Sequence, residues 1–191
     1  MLKVNKKKSE PEEFTKYKSK HKIINWDSFT TEVKQVLKQY LLEEQENSCC
    51  PYCEIEINLE NSHIEHIKPK NIFPNLLADY NNFIACCLEK KICGDSKASK
   101  WSELFINPVI EDPKDYFEYD IKTGKIIPIF KEGNRHEKAK YTIDLLNLND
   151  NRLCKIRKVF IINYTKNIET RKYLSNFPSL RRYLEGAVAN L

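Results

Sequence analysis

Apolar positions along the chain repeat with two periods. Phe29, Val33, Val36, Leu37, Tyr40 and Leu41 share one face of a predicted helix that Asp27 or Ser28 can cap and that ends near Asn47. Alternation then takes over in Glu54-Ile55-Glu56-Ile57. A polar turn from Asn58 to Ser62 leads to a second predicted strand, His63-Ile64-Glu65-His66-Ile67, which Pro69 breaks. A loop through Pro74 runs on to Asn81-Asn82-Phe83-Ile84-Ala85-Cys86-Cys87. After Cys93-Gly94 the pattern predicts a helix that starts at Asp95 or Ser96 and carries Trp101. Tyr116–Ile121 and Lys125–Ile129 read as a hairpin around Lys122-Thr123-Gly124, with Pro128 assigning the return strand to an edge. The rest is helical. One helix spans about Glu137 to Asn147, a second starts near Asp150 and carries Leu153, Ile156, Val159, Phe160 and Tyr164, and a third follows Pro178. The fold class is therefore α+β and mostly helical, and no internal repeat is visible.

Residues 1–25 are polar and Lys-rich, with Pro11, and read as an extended basic arm before the helix of residues 26–47. With 41% apolar and 31% charged positions, the 191 residues suit one domain with a core, or one domain with a helical extension. No run reaches the roughly 18 apolar residues of a membrane span. The charged start has no apolar segment behind it, so no secretory signal is read and the expected compartment is the cytoplasm.

Seven cysteines change this picture. The count is odd, and six of the seven fall between Cys49 and Cys93, which points to metal rather than to disulfides. Cys154 stands apart within an apolar helix pattern and reads as a small buried hydrophobe. Cys50-Pro51-Tyr52-Cys53 is a knuckle whose two thiolates can chelate one tetrahedral zinc. Cys87 and Cys93 are the best candidates for the other two ligands, with Cys86 competing. A redox role would want a strand-to-helix context in a βαβ unit, which the pattern lacks.

His63-Ile64-Glu65-His66 sets two imidazoles and a carboxylate at a strand end. Phosphodiester hydrolysis needs a divalent cation to stabilise charge on the phosphate, and a base for the attacking water. Neighbouring strand residues face opposite ways, so Glu65 can bind the cation while His66 acts as the base from another side. The net charge of +5 is mild. Lys68, Lys70, Lys97 and Lys100, together with Lys90 and Lys91, nevertheless flank this segment, and a phosphate-contact role for them stands beside the plain reading of a solvated surface.

Cys50 and Cys53, then Glu65-His66-Ile67 with Pro69, then Asn82-Phe83 leading to Cys87, then Cys93 with Lys97, together resemble the cysteine-bearing members of the HNH endonuclease family. The resemblance implies a zinc-stapled ββα-metal core over residues 48–135, with an additional hairpin, followed by a helical region at 136–191 that docks a partner. It implies catalysis with magnesium or manganese, Glu65 as first cation ligand, His66 as general base, and Asn82 as the residue fixing the loop between hairpin and helix. Gly94 stands where the family has Asn or His, so the last cation ligand is open between Asp95 and His63. Asp95 reads equally well as a helix cap. Glu10-Pro11, Asn107-Pro108, Thr142-Ile143 and Leu146-Asn147-Leu148-Asn149 extend the likeness to the HNH proteins of Septu-type anti-phage systems, which also occur beside retrons. That likeness implies an ABC-type ATPase partner and a nucleic-acid substrate. The competing reading is a non-catalytic zinc module that binds nucleic acid or protein. A zinc hydrolase ranks lower because no HExxH is present.

Overall fold

The computed structural model describes residues 1–166, 169, 171 and 174–189. The N-terminal segment is not an arm. Met1, Leu2 and Val4 are buried, the Leu2 and Val4 N–H groups donate to the carbonyls of Pro51 and Pro108, and the Met1 amine pairs with the buried carboxylate of Glu54. The intervening lysines, whose density suggested an arm, are held by fixed partners, Lys6 with its side chain nearly buried. Lys3 reaches the Val109 carbonyl, Lys6 reaches Glu44 and Lys7 reaches Glu43. Pro11 then precedes helix α1 (Glu12–Lys20), with acidic residues in its first turn and lysines in its last, as the helix dipole favours. The expected caps Asp27 and Ser28 belong instead to a 3-10 turn, Trp26–Ser28, closed by Asn25. Thr30 caps helix α2 (Thr31–Glu44), which buries Leu37, Leu41 and Leu42.

Strand β1 (Ser62–His66) forms as expected, but its partner differs. Glu54–Ile57 makes only one isolated bridge, between Glu56 and Cys49. The knuckle turn explains this: Glu54 has φ 66°, its N–H returns to the Cys50 carbonyl, and its carboxylate is drawn into the core by Tyr119 and Ser179. The antiparallel partner is β2 (Phe83–Cys87), in a register that sets His63 opposite Cys86, Glu65 opposite Ile84 and His66 opposite Phe83. All five β2 residues are buried, so the strand shows no alternation in sequence.

Helix α3 (Cys93–Lys97) packs on β2, starting earlier than expected and ending before Trp101 because Ala98 turns the chain at φ 48°. A second hairpin pairs β3 (Phe117–Asp120) with β4 (Lys125–Pro128), as read from the sequence. Gly124 closes it at φ 73°, where a Cβ would sit 2.4 Å from the Cys154 carbonyl. Helix α4 (Asn134–Leu145) packs on β4, and α5 (Asn151–Lys166) and α6 (Pro178–Ala189) follow.

One continuous apolar core runs from Met1 to Leu184, including Tyr52, Phe83, Phe160 and Leu180. Leu153, Phe160 and Tyr164 of α5 enter it and Cys154 is buried as expected, whereas Ile156 and Val159, grouped with them by spacing, point outward. No helix among the described residues is long and apolar enough to cross a membrane.

Candidate active site and metal centre

The Sγ atoms of Cys50, Cys53, Cys87 and Cys93 all lie within 4.8 Å of one another and all four side chains are buried. The knuckle turn supplies the first two, the end of β2 the third and the start of α3 the fourth. Cys86 lies beside the group, 3.8 Å from Cys50, without being one of the four. The crowding splits the acidities. Against the cost of burial, hydrogen bonds from the other four thiols hold Cys50 well below the usual thiol range. Against a hydrogen bond to Cys50, those from Cys53, Cys86 and Cys93 bring Cys87 to about 5. Four buried sulfurs from two chain-distant pairs are a donor set suited to structural zinc.

On the other side of α3, β1 places His63 and Glu65 on one face of the strand. Glu65 has only 12% of its side chain exposed. Its Oε1 accepts from Lys97 Nζ at 2.8 Å, and its Oε2 lies 3.4 Å from His63 Nε2. Although burial works against it, His63 and Lys97 hold the Glu65 carboxyl below its ordinary value, so it is anionic at neutral pH. Gly94 faces this pair. A Cβ there would lie 3.0 Å from His63 Nε2 and 3.1 Å from Glu65 Oε2. His63 Nδ1 is buried with no hydrogen-bond partner. An anionic carboxylate oxygen beside an imidazole nitrogen, approached closely only by a glycine, is a donor set that fits a divalent cation.

His66, on the opposite face of β1, is 8% exposed. Its ring packs edge-on against Trp26 and Phe83, with centroids 4.8 and 4.9 Å apart. Nε2 lies 3.0 Å from the Leu77 carbonyl. A carbonyl only accepts, so Nε2 carries the proton and Nδ1 keeps its lone pair. Burial, followed by the positive charge of Lys70, holds the imidazole below its usual value despite the Leu77 bond, and it is neutral near pH 7. His63, Glu65 and His66 line one cavity of about 320 Å³, with Pro69, Lys70 and Ser99 at its rim.

Asn82 is buried, and its side chain hydrogen-bonds to none of the three. Its Oδ1 accepts from Lys68 N–H at 2.8 Å, and its Nδ2 donates to the carbonyls of Lys68 and Leu76. It pins the loop between β1 and β2, not one between hairpin and helix, and so fixes the Leu77 carbonyl that orients His66. Two expectations need correction. Lys97, placed on a phosphate-binding rim by sequence, is 0% exposed and bonded to Glu65 and to the His66 carbonyl. Asp95 is exposed, and its oxygens accept from Lys90 Nζ and the Lys91 N–H, so it stays out of the His63–Glu65 pair. Lys70 and Lys100 are exposed, and Lys68 rests over Phe73 and Trp101.

Sequence reasoning missed Trp26, the Leu77 carbonyl and Gln45. Gln45 braces β2 by bonding Ala85 N–H and C=O and the Cys49 carbonyl. A polar residue closing an apolar helix was the one signal for Gln45; a backbone carbonyl leaves none.

No family model matches the chain. Among curated proteins, it is 32% identical over 171 residues to a retron Vc95 protein of Vibrio cholerae serotype O1 biovar El Tor named as an HNH endonuclease, covering 80% of this chain and 82% of that one. It is 34% identical over 144 residues to the Septu protein PtuB of Bacillus thuringiensis, covering 72% of this chain and 49% of that longer protein. A retron Ec83 protein of Escherichia coli, also named as an HNH endonuclease, is 24% identical over 209 residues, covering 86% of this chain and 80% of that one.

Proposed function

The chain belongs to the family of the retron HNH endonucleases, and from that premise we propose that it hydrolyses phosphodiester bonds of nucleic acid at the His63–Glu65–His66 cavity. The observation that carries this reading is the orientation of His66. With Nε2–H committed to Leu77, Nδ1 is the free basic atom of a neutral imidazole lining the same cavity as Glu65. His66 takes the proton of the attacking water at Nδ1. Glu65 and His63 hold a divalent cation, magnesium or manganese, which when bound supplies charge stabilisation at the phosphate. Lys97 keeps the Glu65 carboxylate ionised and aimed. In this reading Lys70, which lines that cavity, and the exposed Lys100 are the contacts for backbone phosphates. The four cysteines hold a structural zinc that ties the knuckle to β2 and α3, and through them fixes the strand that carries the site.

The names of two relatives, one a retron protein and one a Septu protein, agree with the resemblance read from the sequence, and on that resemblance the chain's place is in an anti-phage complex with an ABC-type ATPase. In this reading the C-terminal helices dock that partner, and the outward Ile156, Val159 and Ile162 of α5 are the apolar surface for it. The test compares wild type with His66→Ala on plasmid DNA and on total tRNA, with magnesium or manganese, alone and with the ATPase. Cleavage by wild type that falls by about two to four orders of magnitude in the variant supports the assignment. Metal-loaded wild type that binds nucleic acid but never cuts it, even with the partner, makes the chain a zinc-bearing binding module instead.

A further inference from the structure

A second cavity, of about 430 Å³, adjoins the catalytic one across His63 and Ile64, which line both. Its other walls come from the 3-10 turn and α2 and include Trp26, Lys34, Gln35 and Lys38. Nothing in the hydrolytic chemistry uses it. Lys38 is committed to structure, since its ammonium donates to the carbonyls of Leu59 and Ser62. Lys34 differs: its ammonium lies over the Trp26 ring, 5.5 Å from the centroid. Lys70 reaches the same ring from the catalytic side at 5.9 Å. Neither ammonium has a carboxylate or hydrogen-bond acceptor among the described residues. Trp26 is only half-buried and lines this cavity, so the indole offers a face to incoming groups between the two ammonium groups. The ring is fixed from behind by Phe29, Phe83 and His66, so that face is rigid.

A rigid aromatic face flanked by unpaired ammonium groups, one residue from the hydrolytic centre, has the chemistry that holds a nucleobase and its phosphate. A base inside a duplex has both faces stacked and cannot enter a recess between a helix and a strand unless it leaves the helix. We propose that this cavity is a nucleoside subsite that takes the base adjoining the scissile phosphate from an unpaired strand, with Trp26 as its stacking surface and Lys34 on the neighbouring phosphate. The subsite rests on the phosphodiesterase reading and adds a substrate class to it: single-stranded nucleic acid, or a loop or bulge within a folded one.

Binding is measured on the full chain carrying His66→Ala, so that nothing is cut, by fluorescence anisotropy with one labelled oligonucleotide presented single-stranded and as a blunt duplex. The single strand binds about tenfold tighter or more. Trp26→Leu weakens it by roughly five- to a hundredfold, the range that loss of one stacked base gives. Because Trp26 also packs against His66, the variant is accepted only with unchanged zinc content and circular dichroism. Lys34→Gln, on the solvent side of α2, is the independent arm. It weakens single-strand binding and lowers the salt dependence by about one phosphate contact. Equal binding of duplex and single strand, no binding of either, or Lys34→Gln indistinguishable from its parent overturns the subsite. The two readings fail separately. Chains with intact His66 that never cut, while Trp26 and Lys34 still govern binding, overturn the nuclease and leave the subsite. Cleavage that needs His66 but ignores Trp26 and Lys34 does the reverse.

Discussion

The Lys97 ammonium lies 2.8 Å from Glu65 Oε1 with no exposure to solvent, and it also donates to the His66 carbonyl. It is brought there by one turn and a half of α3, whose first residue, Cys93, belongs to the cysteine cluster. One short helix therefore links the structural and catalytic halves of the site. Lysine is rarely buried unless paired, so this residue is committed to Glu65 and is not a phosphate contact.

Removing one partner of a buried pair strands the other. Lys97→Met is expected to lower stability by about 3 kcal/mol and to weaken cleavage strongly, because Glu65 loses the charge that keeps it ionised and aimed. The double variant Glu65→Gln/Lys97→Met recovers part of that stability and none of the activity. Urea midpoints of the two single variants and the double variant measure this. Simple additivity of the single effects would show that the two residues do not act as a pair.

The cysteines are expected to divide into two classes. Cys50→Ser, Cys53→Ser, Cys87→Ser and Cys93→Ser each lose zinc and most of the folded state, since metal binding and folding are coupled in so small a module. Cys86→Ser keeps its zinc, because Cys86 touches Cys50 without joining the tight group. Elemental analysis of the purified variants decides it, and zinc loss in Cys86→Ser with retention in Cys87→Ser would reverse the ligand assignment.

The parts of the site visible in the sequence are those whose chemistry is local. The knuckle, the histidine–glutamate segment and the later cysteines carry their residue types in short runs. Where the reading failed, the deciding interaction was distant in sequence. Glu54–Ile57 alternates like a strand, but Glu54 is claimed by Tyr119 and Ser179, and Ile57 N–H by Ser48. The true partner of β1 is buried on both faces and has no period. Lys97 reads as surface charge until α3 is folded over Glu65. The N-terminal lysines hid Leu2 and Val4, whose burial depends on the Pro51 and Pro108 carbonyls far along the chain.

Glu54 gives a pH dependence of stability. Despite full burial, the Met1 amine and the hydroxyl and N–H of Ser179 hold its carboxyl at about 2, below the ordinary 4.5. A carboxyl lowered on folding stabilises the protein above its unfolded pKa, and that contribution is lost as pH falls through the folded value. The contribution is about 3 kcal/mol at pH 7 and declines between about pH 5 and pH 2. Acid also releases zinc from thiolates, so wild type is compared with Glu54→Gln at each pH. The stability gap between them should shrink as pH falls from 7 to 3; a gap that stays constant over that range would count against an ionised Glu54.

Gly94 tests whether His63 and Glu65 hold the cation. Its backbone is helical, so alanine is permitted there, and the atoms a Cβ would crowd are the ends of two side chains rather than main chain. Those ends need shift only a few tenths of an ångström. Gly94→Ala is therefore expected to keep its zinc, its circular dichroism and its stability to within about 1 kcal/mol, the usual range for a substitution that makes no cavity and buries no unpaired polar group. The same small shift falls on the atoms assigned to the cation, where misplacement is costly: a displacement near 1 Å costs on the order of a hundredfold in rate. Manganese affinity, followed by calorimetry on zinc-loaded protein, should drop about tenfold, cleavage should drop at least as far, and excess manganese should restore part of the rate. His63→Ala in the same assay should also lose manganese affinity, while leaving the Glu65–Lys97 pair in place. If Gly94→Ala and His63→Ala both bind manganese as wild type does, the cation is held elsewhere, and the glycine at 94 serves only to let α3 pack closely against β1.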